Sequence, residues 1–196
     1  DIINYEFTLT DKILCWGKNA AEVLQNRGID AGKLIIAGNP KYNEGFVFKP
    51  LKNTFRSCLM MLARFIYDEG NREMMSIVGR VAQRMNIKVY IKPHPSLYVA
   101  KEVNFAAYQQ LAEEFGFTML DRETMLTELL DDDRFDFSIC YNTGAYVEAY
   151  GKGLICLRYA AGENDYIEGL DDRFSDEQSL QEKIESLRSA DLNVLT

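Results

Sequence analysis

The only histidine of this chain, His94, stands between Pro93 and Pro95, directly after Lys92. The apolar run 87–91 before it is rich in β-branched residues and reads as a strand. Neither proline can donate a backbone hydrogen bond, so the strand must end there and the turn around His94 is stiff. An imidazole held in this way can donate to an oxyanion, and the Lys92 ammonium adds positive charge beside it. The alternative is a lone histidine satisfied by a backbone carbonyl. Later in the chain the strand-like run 137–140 leads into Tyr141-Asn142-Thr143-Gly144-Ala145. Gly144 and Ala145 leave room for a phosphate beside the backbone, Asn142 and Thr143 offer polar side chains, and the N-terminus of the helix that follows favours an anion. Glu148, one turn on, is placed to accept hydrogen bonds from ribose hydroxyls. Here the alternative is a plain helix cap at Thr143 with no ligand. Together the two segments have the chemistry to hold a nucleoside diphosphate, with His94 stabilising charge on a departing phosphate.

Other groups are weaker candidates. Arg64, after the strand-like run 57–62, and Arg158, after 154–157, are each placed to reach a diphosphate or its sugar, although exposed arginines are commonly solvated or paired with surface carboxylates. The polar stretch containing Glu163, Asn164 and Asp165 reads either as a sugar-gripping loop or as ordinary surface. The run Asp131-Asp132-Asp133 reads as a solvated acidic turn rather than a metal site. There is no Ser-His-Asp arrangement and no Gly-rich Walker loop.

The elements that must position these residues alternate. Strands are expected at 12–16, 34–37, 57–62, 87–91, 117–120, 137–140 and 154–157. Helices are expected at 71–85, 105–115, 124–130, 144–150 and 176–189, with one more between Asn19, read as its cap, and Gly28. Short strands separated by helices imply right-handed crossovers and a parallel sheet covered on both faces, which binds ligands outside the carboxyl ends of its strands. Gly38-Asn39-Pro40 is a turn, and 45–53, with one of the four prolines, reads as a connector. We therefore expect residues 1–50 to be the end of an amino-terminal domain with the interdomain connector, and 51–196 to form a Rossmann-like domain. The fold class is α/β, a doubly wound parallel sheet with a remnant of an upstream domain.

Composition narrows the partners. The net charge of −8 disfavours a nucleic-acid polymer, which needs clustered Lys and Arg, but leaves a mononucleotide open. No apolar run is long enough to span a bilayer, and no signal-peptide pattern opens the chain. Asp1 stands where a complete reading frame has Met, so the sequence reads as part of a longer protein. Four scattered cysteines without a Cys-x-x-Cys pair, with a single histidine, point to buried reduced thiols and to no metal site. A cytoplasmic location follows, compatible with peripheral attachment to the inner face of the membrane.

Lys92-Pro93-His94-Pro95, Thr143-Gly144-Ala145-Tyr146-Val147-Glu148-Ala149 and Gly151-Lys152-Gly153 resemble the carboxyl-terminal half of GT-B glycosyltransferases of bacterial capsule, lipooligosaccharide and teichoic-acid synthesis. Bacterial sialyltransferases and CDP-glycerol glycerophosphotransferases carry a similar His-Pro element and a later hydroxyl-rich turn. UDP-N-acetylglucosamine 2-epimerases share the half-fold, with Ser-Gly-Gly where this chain has Thr-Gly-Ala. Asp11-Lys12-Ile13-Leu14-Cys15-Trp16-Gly17 and Gly38-Asn39-Pro40-Lys41-Tyr42 resemble the end of the first domain and the interdomain crossing of these enzymes. The resemblance implies a nucleotide-sugar donor as substrate, a carbohydrate acceptor, and no separate cofactor. Donor phosphates would be bound by His94, Lys92, Arg64, Asn142, Thr143, Gly144 and Ala145, and the ribose by Glu148. The donor sugar would meet Arg158, Glu163 and Asn164. An epimerase-like activity using the same pocket and a non-catalytic nucleotide-binding module are the alternatives.

Overall fold

The computed structural model describes residues 10–38, 53–160 and 172–190. The chain divides into two units, Asp1–Val47 and Phe48–Thr196. In the smaller unit, β1 (Ile13–Cys15), α1 (Lys18–Asn26) and β2 (Leu34–Ile36) form a strand–helix–strand turn with the two strands parallel. Asn19, expected as the cap, lies inside α1, and Gly17 takes the cap position. Gly28, two residues past the helix, has φ +88°, the left-handed conformation that commonly ends a helix. Most of the expected connector over 45–53 lies outside the described residues.

The larger unit contains β3 (Ser57–Met61), α2 (Asp68–Met85), β4 (Lys88–Lys92), α3 (Ser96–Val99), α4 (Phe105–Phe115) and β5 (Thr118–Met119). It continues with α5 (Leu126–Asp131), β6 (Phe137–Cys140), α6 (Ala145–Gly151), β7 (Ile155–Tyr159), β8 (Arg173–Phe174) and α7 (Glu177–Ser189). Two elements, α3 and β8, have no counterpart in the sequence expectation. Both are too short to show a period. Helix α2 also starts three residues before the expected Asn71, its first turn carrying Asp68 and Glu69, which suit the positive end of the helix dipole.

The strands of the larger unit order as β5-β4-β3-β6-β7-β8, every pair parallel. Renumbered from β3, this is the 3-2-1-4-5-6 order of the doubly wound dinucleotide-binding fold. The strands are buried on both faces because both faces are covered. Along β3, Cys58 and Met60 join the cluster formed with Met74, Met75 and Val78 of α2, Tyr108 of α4 and Leu180 of α7. Leu59 and Met61 point the other way, to Leu129 and Leu130 of α5 and Tyr146 and Ala149 of α6. That alternation is the period of two expected of a strand, with both sides apolar. Chain direction reverses its sideways progress between β3 and β6, so their carboxyl ends open a crevice at the centre of the sheet.

Candidate functional site

Three loops meet the carboxyl edge beside this switch point: the one after β3 carrying Arg64, the one after β4 carrying His94, and the turn after β6. The first is tied down from below. Asn71 of α2, fully buried, accepts from the Ala63 N–H (2.8 Å) and donates to the Ala63 carbonyl (3.0 Å). Arg64 follows directly and is exposed. The Phe65 N–H donates to Ser96 Oγ at 3.1 Å, stitching this loop to the His94 turn.

His94 is held by the same serine. The Ser96 N–H donates to Nδ1 at 3.1 Å, and the Ser96 hydroxyl lies 2.9 Å from the same nitrogen. A backbone N–H can only donate, so Nδ1 is an acceptor and the neutral ring carries its proton on Nε2. Partial burial, and secondarily the Arg64 guanidinium, lower the His94 pKa below the ordinary 6.5. His94 therefore stands neutral at pH 7 as a hydrogen-bond donor through Nε2. Because the folded-state pKa is depressed, its contribution to stability is full above pH 6.5 and lost as the pH falls below that value. A bound phosphate would favour the imidazolium and reverse the shift. The one histidine gives an unambiguous NMR signal: its titration midpoint is expected below 6.5 in the free protein and higher once a nucleoside diphosphate is added. A midpoint unmoved by a saturating nucleotide would separate His94 from the phosphates.

Lys92, expected beside the phosphates, is engaged elsewhere. Its ammonium donates to the carbonyls of Asp121 (3.0 Å) and Arg122 (2.8 Å), tying the end of β4 to the loop after β5. Burial lowers its pKa, with Asp121 and Glu123 opposing.

The turn after β6 begins with Asn142 at φ +38°, a left-handed conformation that Asn adopts more readily than most residues. Thr143 was expected to cap the helix. Instead Gly144 holds the cap position with no side-chain cap bond, and Thr143 Oγ1 accepts from the Ala145 N–H at 3.4 Å. Helix α6 has seven residues, as many as the expected 144–150, shifted by one. A Cβ placed on Gly144 would meet nothing within 4 Å. Glu148 is half-buried one turn along. The floor of the crevice is a direct contact: the Tyr141 ring lies on Gly70 in the first turn of α2, where any Cβ would collide with it. Tyr141 also packs edge-on against Tyr67 and Tyr159.

Arg158, expected at the donor sugar, is buried. It makes a two-pronged ion pair with Asp172, Nη2 to Oδ1 at 2.8 Å and Nε to Oδ2 at 3.0 Å. Its guanidinium lies 4.9 Å from the centre of the Tyr146 ring. Tyr146 is the second residue of α6, so Arg158 packs against the helix that follows the 142–145 turn. Glu163, Asn164 and Asp165 lie outside the described residues. Asp131 and Asp132 of the acidic run pair with Lys152 (2.8 Å) and Arg134 (2.5 Å).

Ser96, Asn71, Tyr146 and Asp172 were not anticipated. Only Ser96 had a usable signal, since a serine two residues after a histidine can reach back to its ring.

No family model matches the chain, and no curated protein does. Solved structures match by fold. A UDP-GlcNAc 2-epimerase from Methanocaldococcus jannaschii in complex with UDP-GlcNAc and UDP superposes with a TM-score of 0.61 at 12% identity, covering 94% of this chain and 56% of that one. The lipopolysaccharide outer core galactosyltransferase WaaB matches at 0.56 and 13%, covering 95% and 56%. TarM matches at 0.57 and 12%, covering 91% and 36%. The chain thus spans about half the length, or less, of the structures it matches. At these identities the likeness concerns architecture: the chain has the α/β, doubly wound, Rossmann-like fold of GT-B half-domains.

Proposed function

We propose that this chain is the donor-binding half of a GT-B glycosyltransferase, or of a glycerophosphotransferase of similar build, that takes a nucleotide-activated donor in bacterial capsule or surface-polysaccharide synthesis. The observation that carries this reading is the serine-locked His94, with Arg64 acting on it electrostatically, at the edge where the 142–145 turn leaves the sheet. His94 Nε2–H and the Arg64 guanidinium supply donors for the diphosphate, and Gly144 leaves its backbone open to close approach. As the bond to the nucleotide breaks, these fixed donors stabilise negative charge on the leaving phosphate. Lys92 and Arg158 support the loops rather than the ligand. Among the described residues no helix is long and apolar enough to cross a membrane.

Calorimetry with UDP, CDP, GDP and CMP tests the pocket. One nucleotide should bind, and Gly144→Ala should weaken it about tenfold, or 1.4 kcal/mol. The added methyl enters open space in the free protein, so thermal stability should stay the same or rise slightly. Unchanged affinity in Gly144→Ala would show that no phosphate approaches that backbone.

The similarity to a UDP-GlcNAc 2-epimerase favours one second reading, an epimerase-like reaction in the same pocket. Its acid–base carboxylates would come from Glu163 or Asp165. Incubating the full-length protein with UDP-GlcNAc alone separates the two: an epimerised sugar supports this second reading, whereas turnover that waits for a carbohydrate acceptor supports transfer.

A further inference from the structure

At the edge of the sheet opposite the crevice, we infer a second binding site, for a small phosphate-bearing molecule. A cavity of about 600 Å³ opens there over the amino ends of the central strands, lined in part by Arg56, Ser57, Lys88, Arg134, Asp136 and Arg188. The pairing places Ser57 of β3 beside Lys88 of β4, while Asp136 immediately precedes β6. Ser57 thus lies at the centre of the floor.

Four cations and one carboxylate line the cavity, in a chain whose net charge is −8. The carboxylate is already engaged: Asp136 Oδ2 accepts from the N–H groups of Arg56 (2.7 Å) and Ser57 (3.1 Å). Two cations are partly engaged. Arg134 pairs with Asp132 and lies over the rings of Tyr90 and Phe135. Arg188 Nη2 donates to the Phe55 carbonyl at 2.8 Å. Arg56 and Lys88 are exposed, and among the described residues their side chains have no partner. The second observation is independent of charge. The Ser57 hydroxyl is buried and has no hydrogen-bond partner among the described residues. Such a group is costly to leave unpaired and normally has an explanation, a ligand or ion among them.

Donors therefore outnumber free acceptors. Guanidinium forks and an ammonium lining one space match the oxygens of a phosphate. The volume exceeds that of a single phosphate and lies within the usual range for a small-molecule site, roughly 300–1,000 Å³, so a diphosphate or an organic phosphate fits better than the bare ion. The same chemistry is presented by a soluble phosphate and by an anionic lipid headgroup.

Amide NMR with inorganic pyrophosphate at low salt tests the site, because this cavity and the donor crevice report through different residues. Pyrophosphate should shift the amides of Ser57, Lys88 and Asp136. Arg56→Ala/Lys88→Ala should weaken that response at least tenfold, and Arg64→Ala/His94→Ala should leave it intact. Shifts confined to residues 62–67 and 142–145, or none at all, would overturn the inference. Ser57→Ala should leave the unliganded melting temperature unchanged or higher, and should shrink the gain on adding pyrophosphate; an undiminished gain removes the hydroxyl from the site. Sedimentation with phosphatidylcholine vesicles, with and without phosphatidylglycerol, then assigns the source. Binding to the anionic vesicles that is lost in the Arg56→Ala/Lys88→Ala protein points to a headgroup. Pyrophosphate binding without vesicle binding points to a soluble ligand.

Discussion

Asp172→Ala is expected to lower the unfolding free energy by about 3–5 kcal/mol, because it strips a two-pronged partner from a buried guanidinium. Arg158 and Asp172 are each only 7% exposed in their side chains. Beyond the two-pronged contact, the Arg158 N–H donates to the Asp172 carbonyl at 2.9 Å, so the pair also fastens β7 to the start of β8. Urea denaturation measures the effect, and a loss below about 1 kcal/mol would mean that the site relaxes to admit solvent. The reverse experiment separates stability from function. Arg158→Met with Asp172→Leu replaces a buried pair by apolar groups of similar size, which commonly restores most of the stability. It also removes the cation over the Tyr146 ring. The double variant should therefore fold while holding the 142–145 turn less firmly, and bind nucleotide more weakly than the native protein.

The second large effect concerns affinity. His94→Ala should weaken nucleoside diphosphate binding by about 1.5–3 kcal/mol, roughly 10- to 150-fold, the scale of a hydrogen bond to a charged group. Stability should change little, since the ring is only partly buried. Alanine also removes the acceptor for the Ser96 N–H, so a lost turn could mimic a lost ligand contact. His94→Asn resolves this. The Asn carbonyl can accept from the N–H two residues on, as Asx turns do, but its amide cannot reach where Nε2 points. Asn should keep the turn and lose the affinity. Native affinity in His94→Asn, measured by calorimetry, would reduce His94 to a structural residue.

The sheet was legible because its strands are short, apolar and separated by helices with clear ends; the run 137–140 and the helix 105–115 match the structure residue for residue. Boundaries failed where tertiary contact overrode local pattern. The helix is expected to start at Asn71, yet Asn71 lies inside α2 with its side chain turned back to hold Ala63. For the candidate site, the sequence located the loops but not the duties within them. Lys92 and Arg158 look like ligand contacts on charge alone, and only the fold reveals that carbonyls and Asp172 already occupy them. Ion pairs across distant segments leave no periodic trace. The cluster at the amino edge was invisible for the same reason, since Arg56, Lys88 and Arg188 converge only once the strands are paired.

Gly70 beneath Tyr141 has a consequence for how such a protein diversifies. With the ring pressed on backbone, position 70 has no side chain to exchange: any residue larger than glycine strikes the Tyr141 ring unless the ring moves. Position 70 is thereby constrained, while Phe65 and Ile66, in the loop after β3, stand 37% and 57% exposed and are freer to vary. A change at position 70 therefore calls for a matching change at Tyr141, whereas the loop after β3 can change alone.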